Sequence, residues 1–262
     1  MTREYDRIGK SYDSSRCADP YLTARLLDLI QPEAHGKYLD IGCGTGNYTA
    51  ALRNKGLDIV GVEPSEVMLE TARLRHAHMN WISGAAEAIP FPPDTFLGAI
   101  ATLTIHHWNA LEKGFAEISR VLKPKGRWVV FTSWPAQMKG YWLNHYFPAM
   151  LAASIAQMPS LDAIALAGEK SGLTVVETEK YHVADDLQDG FLYIGKHKPE
   201  MYFDTRIRNG ISSFASLAHQ DEVNAGLAQL RLDIDTGCFE SVRKRYENAL
   251  GDYLFIVLEK AI

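Results

Sequence analysis

A chain of 262 residues with 47% hydrophobic and 23% charged residues can bury one sizeable core, and no repeat or low-complexity tract divides it. Lys and Arg number 27 against 32 Asp and Glu, and this net charge of −5 argues against a polyanion as the main partner. Three scattered cysteines, Cys17, Cys43 and Cys238, suggest neither a disulfide framework nor a zinc site, which suits a reducing compartment.

Taken in chain order, Asp19-Pro20 predicts a helix start, and Leu22, Leu26, Leu29 and Ile30 recur at helical spacing until Gln31-Pro32. Tyr38-Leu39-Asp40-Ile41 is a short apolar strand carrying an acid. Gly42, Gly44 and Gly46 follow at alternate positions, and a helix runs from about Thr45 to Gly56. Such a turn lets the backbone pass close to a ligand, and the helix start offers unsatisfied N–H groups to its anionic part. Asp58–Val62 predicts a second strand ending at Glu63, where a carboxylate can accept hydrogen bonds from both hydroxyls of a ribose. Ser65 caps a helix to about Arg75, and Trp81-Ile82-Ser83 is a third short strand. Ala99 to Ile105 is a fourth strand. Asn109 with Glu112 then reads as a capping box for a helix that turns Leu111, Phe115, Ile118 and Leu122 to the sheet. Trp128 to Thr132 is a fifth strand. Beyond Trp134 an aromatic helix is expected from Tyr141 to about Ala156, a further helix over Leu161–Ser171, and a sixth strand over Leu173–Thr178. About seventy largely helical residues precede a final strand, Tyr253–Leu258. Alternating strands and helices imply an α/β fold with a doubly wound, mostly parallel sheet.

The glycine spacing is GxGxG behind an acid, not the GxGxxG of nicotinamide or flavin enzymes. With Val62-Glu63-Pro64-Ser65, the loop Gly84-Ala85-Ala86-Glu87, the segment Leu103-Thr104-Ile105-His106-His107-Trp108 and the turn Arg120-Val121-Leu122-Lys123-Pro124-Lys125-Gly126, the chain resembles class I S-adenosylmethionine (SAM)-dependent methyltransferases. The general likeness is to the ubiquinone/menaquinone C-methyltransferase-like group. The resemblance implies a seven-stranded Rossmann-like sheet whose last strand inserts antiparallel between the fifth and sixth, under a helical cap. It implies one methyltransferase domain over 1–262. An N-terminal lid would occupy about 1–31, a SAM-binding core 32–135, cap insertions 136–170 and 184–248, and the last strands 173–182 and 252–260.

For SAM it implies contacts from Asp40, Gly42, Gly44, Gly46 and Asn47 in the turn, and from Glu63, Pro64, Ser65 and Met68 around ribose and adenine. Ala86, Glu87 and Thr102 would complete the site, with Met68 and Ile89 sandwiching adenine. Tyr5-Asp6-Arg7-Ile8 and Ser11-Tyr12-Asp13 resemble the lid of small-molecule members, in which Tyr12 and Arg16 would close over the methionine end. Two departures stand out. Ala85 replaces an acid that usually meets adenine, and Phe96-Leu97 replaces Phe-Asp.

Methyl transfer asks mainly for alignment and exclusion of water, so it needs no metal cluster or nucleophile. His106 and His107 are the candidates for acid–base work on the acceptor. Trp108, Trp134, Tyr141, Trp142, His145 and Tyr146 are candidates for its binding walls. The expected function is methyl transfer from SAM to a small-molecule acceptor in secondary metabolism or quinone-like biosynthesis. The alternatives are a tRNA-modifying methyltransferase, which would need a basic face, and a non-catalytic SAM-binding protein. The basic run Arg243-Lys244-Arg245 precedes Glu247 and reads as a solvated helix face. With no apolar run read as a membrane span and no leader in Met1–Asp6, a cytoplasmic location without a membrane partner is expected.

Overall fold

The protein is described here by a computed structural model over residues 15–262. Asp19 caps helix α1 (Pro20–Ile30) by accepting from the Leu22 N–H at 3.0 Å, and Pro20 takes a first-turn position whose amide has no helical partner. Strand β1 (Lys37–Ile41), α2 (Asn47–Asn54), β2 (Asp58–Glu63), α3 (Glu66–Arg75), β3 (Trp81–Ser83), β4 (Phe96–Thr102), α4 (Leu111–Val121) and β5 (Leu122–Thr132) alternate as expected. Strands β6 (Leu173–Tyr181) and β7 (Tyr253–Lys260) complete one seven-stranded sheet in the order β3-β2-β1-β4-β5-β7-β6. The first five strands pair in parallel, and β7 runs antiparallel between β5 and β6.

Burial explains the strand sequences. β5 and β7 are covered on both faces, so Trp128–Phe131 and Tyr253–Leu258 are continuous apolar runs with no alternation. β6 lies at the edge and exposes Thr174, Glu177 and Lys180 between buried ends, charges that discourage pairing with another chain. One face of the sheet packs Tyr38, Ile100, Val129 and Phe131 against α1 and the later helices. The opposite face packs Leu39, Ile41 and Trp128 against Phe115 and Ile118 of α4.

The structure differs from the sequence expectation where side chains interrupt a regular element. Strand four stops at Thr102, because Leu103 turns to φ +52° and a 3₁₀ turn, Ile105–His107, follows. The Asn109–Glu112 capping box does not form. α4 begins after Ala110, and Glu87 from the loop after β3 accepts from the N–H groups of Asn109 and Ala110 at 2.6 and 3.1 Å. After a short α5 (Pro135–Lys139), the aromatic helix expected from Tyr141 to about Ala156 divides into α6 (Leu143–Tyr146) and α7 (Pro148–Gln157). Pro148 is responsible: it holds Phe147 at φ −134° and ψ +58°, outside the helical region. α8 (Leu161–Lys170) follows. The stretch Pro148–Lys170 has the length and composition of a membrane-crossing helix, which the expectation overlooked, yet it folds as two helices with Met158-Pro159-Ser160 between them. Between β6 and β7 come a 3₁₀ turn (Pro199–Phe203), α9 (Thr205–Asn209), a π-helical turn (Ser213–Leu217), α10 (Gln220–Asp235) and α11 (Phe239–Arg245).

Candidate functional site

The glycine turn is fastened to the end of β2, where the N–H groups of Gly42 and Cys43 both donate to the Val62 carbonyl at 2.8 and 3.1 Å. Gly42, Gly44 and Gly46 all have positive φ, at +72°, +56° and +84°. Their surroundings separate their roles. A Cβ on Gly42 would stand 2.1 Å from Thr104 Oγ1, and one on Gly46 would stand 2.3 Å from the Trp81 ring. A Cβ on Gly44 would meet only Met68 Sδ, at 3.8 Å, so the missing side chain of Gly44 leaves open space.

Glu63, at the end of β2, is buried with each carboxylate oxygen already on a backbone N–H. Oε2 accepts from Gly44 at 3.0 Å and Oε1 from Ser65 at 3.0 Å. The fork is therefore fixed in orientation. A carboxylate oxygen has two lone pairs and can accept from more than one donor. Asp40, on β1, is also buried and accepts from Thr49 Oγ1 at 2.6 Å. Burial pushes its carboxyl up to about 7, Thr49 opposes the shift and the charge of Glu63 adds to it. Burial likewise drives the Cys43 thiol well above its ordinary range, which suits a small filler rather than a nucleophile.

These groups open onto one cavity of about 280 Å³ at the C-terminal ends of β1, β2 and β4. Arg16, Asp40, Gly42, Gly44, Asn47, Glu63, Pro64, Ser65, Met68, Ala86, Glu87, Thr102 and Trp108 come together in its wall. Gly46 stays outside, beneath the turn, and Ile89 lies in the core rather than in the wall. Tyr12 and the rest of the expected lid motif before Ser15 fall outside the described residues. Thr102 Oγ1 is buried and lacks a hydrogen-bond partner among the described residues.

Sequence reasoning missed Thr45, Tyr48, Leu103, Thr104, Asn109 and Asp189, which also line the cavity. Asp189 is the most consequential of these. It accepts from Arg16 Nε and Nη2 at 2.5 and 3.1 Å and from the Tyr48 hydroxyl at 3.0 Å, clasping the N-terminal segment, α2 and the insertion after β6. Both the Arg16 and Asp189 side chains are nearly fully covered.

A second cavity, of about 60 Å³, shares Arg16, Leu103 and His107 with the first. His106 and Tyr141 line only this smaller space. The two imidazoles lie 3.9 Å apart, tilted by 47°. Burial pushes His106 down to about 4, and burial together with His106 holds His107 well below the usual range, so both are neutral at pH 7.

The other aromatic candidates lie elsewhere. Trp142 is fully buried and packs edge-to-face on Tyr146, Tyr202 and Phe239 while its indole N–H donates to the Lys196 carbonyl. The Tyr146 hydroxyl donates to Asp233, His145 is exposed, and Trp134 is half-buried where α5 begins. None of the four lines either cavity, so their expected place in an acceptor wall is corrected to packing and surface positions. Helical spacing alone could not separate these two outcomes.

Comparison with known proteins adds a family. A family model described as a methyltransferase domain matches residues 39–130. A solved structure described as a methyltransferase from an antibiotic biosynthesis pathway of Anabaena variabilis shares 33% identity and a TM-score of 0.83, covering 94% of this chain and 99% of that one. A demethylmenaquinone methyltransferase of Clavibacter sepedonicus is 30% identical over 171 residues, 62% of this chain and 69% of its own. An uncharacterized methyltransferase of Mycobacterium tuberculosis is 34% identical over 127 residues, 48% of this chain and 51% of its own. The chain spans about half the length of several curated relatives it matches.

Proposed function

The chain belongs to the SAM-dependent methyltransferase family, and from that premise we propose that it transfers the methyl group of SAM to a small-molecule acceptor. The observation that carries the assignment is the buried Glu63 fork, held by Gly44 and Ser65 beside the open Cβ direction of Gly44. The residues present fit the cofactor. Glu63 would accept from both ribose hydroxyls, the Gly42–Gly46 turn would run beneath the ligand, and Met68 would cover one side of adenine. Asp40 and Thr102 Oγ1, which lacks a partner among the described residues, would serve the methionine end, whose ammonium a carboxylate and a hydroxyl suit. Adenine recognition rests on backbone at Ala86. Glu87 is occupied in part by the start of α4.

When bound, SAM supplies an already activated methyl group on a sulfonium. The chain's own work is to align and to exclude water. The Arg16–Asp189 pair covers the junction of the two cavities, and His107 stands in the wall they share. His106 and His107 act as neutral groups that orient the acceptor, because burial has weakened them as bases.

A small-molecule acceptor in quinone-like or secondary metabolism is supported by the names of the relatives and by the net charge of −5, which disfavours tRNA. The test is calorimetry with S-adenosylhomocysteine, the demethylated product, followed by a methyl-transfer screen over small acceptors. Micromolar binding lost in folded Gly44→Val is expected. Absence of binding to the wild type overturns the proposal, and binding without transfer to any acceptor class would favour a non-catalytic SAM-binding protein.

A further inference from the structure

The geometry points to the smaller cavity as the acceptor site, built for an uncharged, mainly apolar molecule that enters by a narrow end and presents one hydroxyl to His106. This rests on the methyl-transfer assignment and adds the chemical class of the acceptor. Its position follows from the shared wall: Leu103 and His107 face both spaces, so a molecule in the smaller one meets the methionine end of the larger.

Polarity selects the class. Most hydroxyls in the small cavity are already engaged. Ser133 Oγ lies 3.0 Å from the Tyr141 hydroxyl and donates to the Asp252 carbonyl at 3.2 Å, and Tyr141 also donates to that carbonyl. Ser154 and Ser213 pair at 2.9 Å, and the Tyr253 hydroxyl accepts from the Tyr193 N–H at 3.2 Å. Besides the half-buried Ser212, what remains is His106 Nδ1, fully buried and without a partner among the described residues. A buried polar atom left so is unfavourable, and a ligand hydroxyl relieves it.

Charge excludes the alternatives. The wall holds no carboxylate among the described residues to receive an ammonium, and its cation, Arg16, is already in a bidentate pair with Asp189. Shape narrows the class further. The 60 Å³ space is well under the roughly 150 Å³ of an engineered cavity that holds benzene. A ring must displace Met138 or Met158, unbranched thioethers that repack readily.

The test uses three para-substituted toluenes, p-cresol, 4-methylbenzoate and 4-methylbenzylammonium, titrated into protein saturated with S-adenosylhomocysteine. p-Cresol should bind at least about tenfold more tightly than either charged probe. Filling the cavity from its half-buried positions, with Met158→Trp or Leu192→Trp, should abolish p-cresol binding while leaving S-adenosylhomocysteine affinity within about threefold. His106→Leu should weaken p-cresol about fivefold or more and leave toluene unchanged, a split that a merely structural role would not produce. Tighter binding of a charged probe, p-cresol binding unaffected by both tryptophans, or equal losses for p-cresol and toluene would overturn the inference. Failure of S-adenosylhomocysteine to bind the wild type appears in the first titration and condemns the methyl-transfer assignment instead.

Discussion

Glu63→Gln is nearly isosteric, yet the hydrogen bonds around Glu63 make it a severe change. Both carboxylate oxygens face backbone donors, Gly44 N–H and Ser65 N–H, each at 3.0 Å. An amide has one acceptor end and one donor end. Whichever way it turns, its NH₂ opposes one of those N–H groups, and the corresponding ribose hydroxyl loses its acceptor. A hydrogen bond to a charged group contributes about 1.5–3 kcal/mol, so the loss of one ribose contact alone implies about tenfold to hundredfold weaker binding. The same clash loosens the Gly44 turn in the empty protein. Glu63→Ala removes both ribose contacts but sets no donor against a donor, so its affinity falls at least about tenfold, with a smaller effect on the turn. Calorimetry with S-adenosylhomocysteine reads the affinities, and thermal unfolding of the empty protein reads the turn. A Glu63→Gln protein that binds within about threefold of wild type would refute the fork as the ribose site.

Other substitutions separate structure from binding. Gly44→Ala should fold, at a cost of about 1 kcal/mol for its positive φ, and still lose the cofactor. Gly46→Ala should lose stability first, because its Cβ meets Trp81, and comparing melting with calorimetry distinguishes the two. Asp40 holds its proton up to about 7 in the folded protein, so the stability it lends is full below its ordinary range near 3.8 and is lost as pH rises through about 7. Asp40→Asn should therefore stabilise the empty protein by about 4 kcal/mol more at pH 8 than at pH 4, and weaken SAM binding. Equal melting shifts at the two pH values would contradict this. Trp142→Ala should destabilise by about 3–5 kcal/mol in denaturant titration, since it empties a fully buried site, while any acceptor binding that survives is unchanged.

The convergence of the glycine turn and its two acids was legible because its logic is local. A glycine turn, an acid on β1 and an acid ending β2 are dictated by short spacings along two adjacent βα units, and the structure brings them to one cavity. The acceptor side depends on contacts that spacing does not encode. Arg16 meets Asp189 across 173 positions, and nothing around Asp189 distinguishes it from a surface acid. Trp142 carries the pattern of a pocket wall, yet Tyr202 and Phe239 from the distant insertion enclose it. Glu87 stands in the loop after β3 that was expected to border adenine, but proximity to Asn109 and Ala110 in space binds its carboxylate to the start of α4. The positions of His106 and His107 were legible, whereas their weakened basicity follows from the cover above them.

The clasp at Asp189 also bears on how the N-terminus tolerates cleavage. A protease or a truncation that removes the chain through Arg16 does more than trim an end. It strands a carboxylate that is 1% exposed, with the Tyr48 hydroxyl as its remaining side-chain donor in the clasp. An uncompensated buried charge is among the costliest defects a fold can carry, so the insertion around Asp189 would have to open. Arg16 thus helps set the integrity of an insertion 173 positions away, and forms lacking it should be judged by the melting of that insertion as well as by turnover.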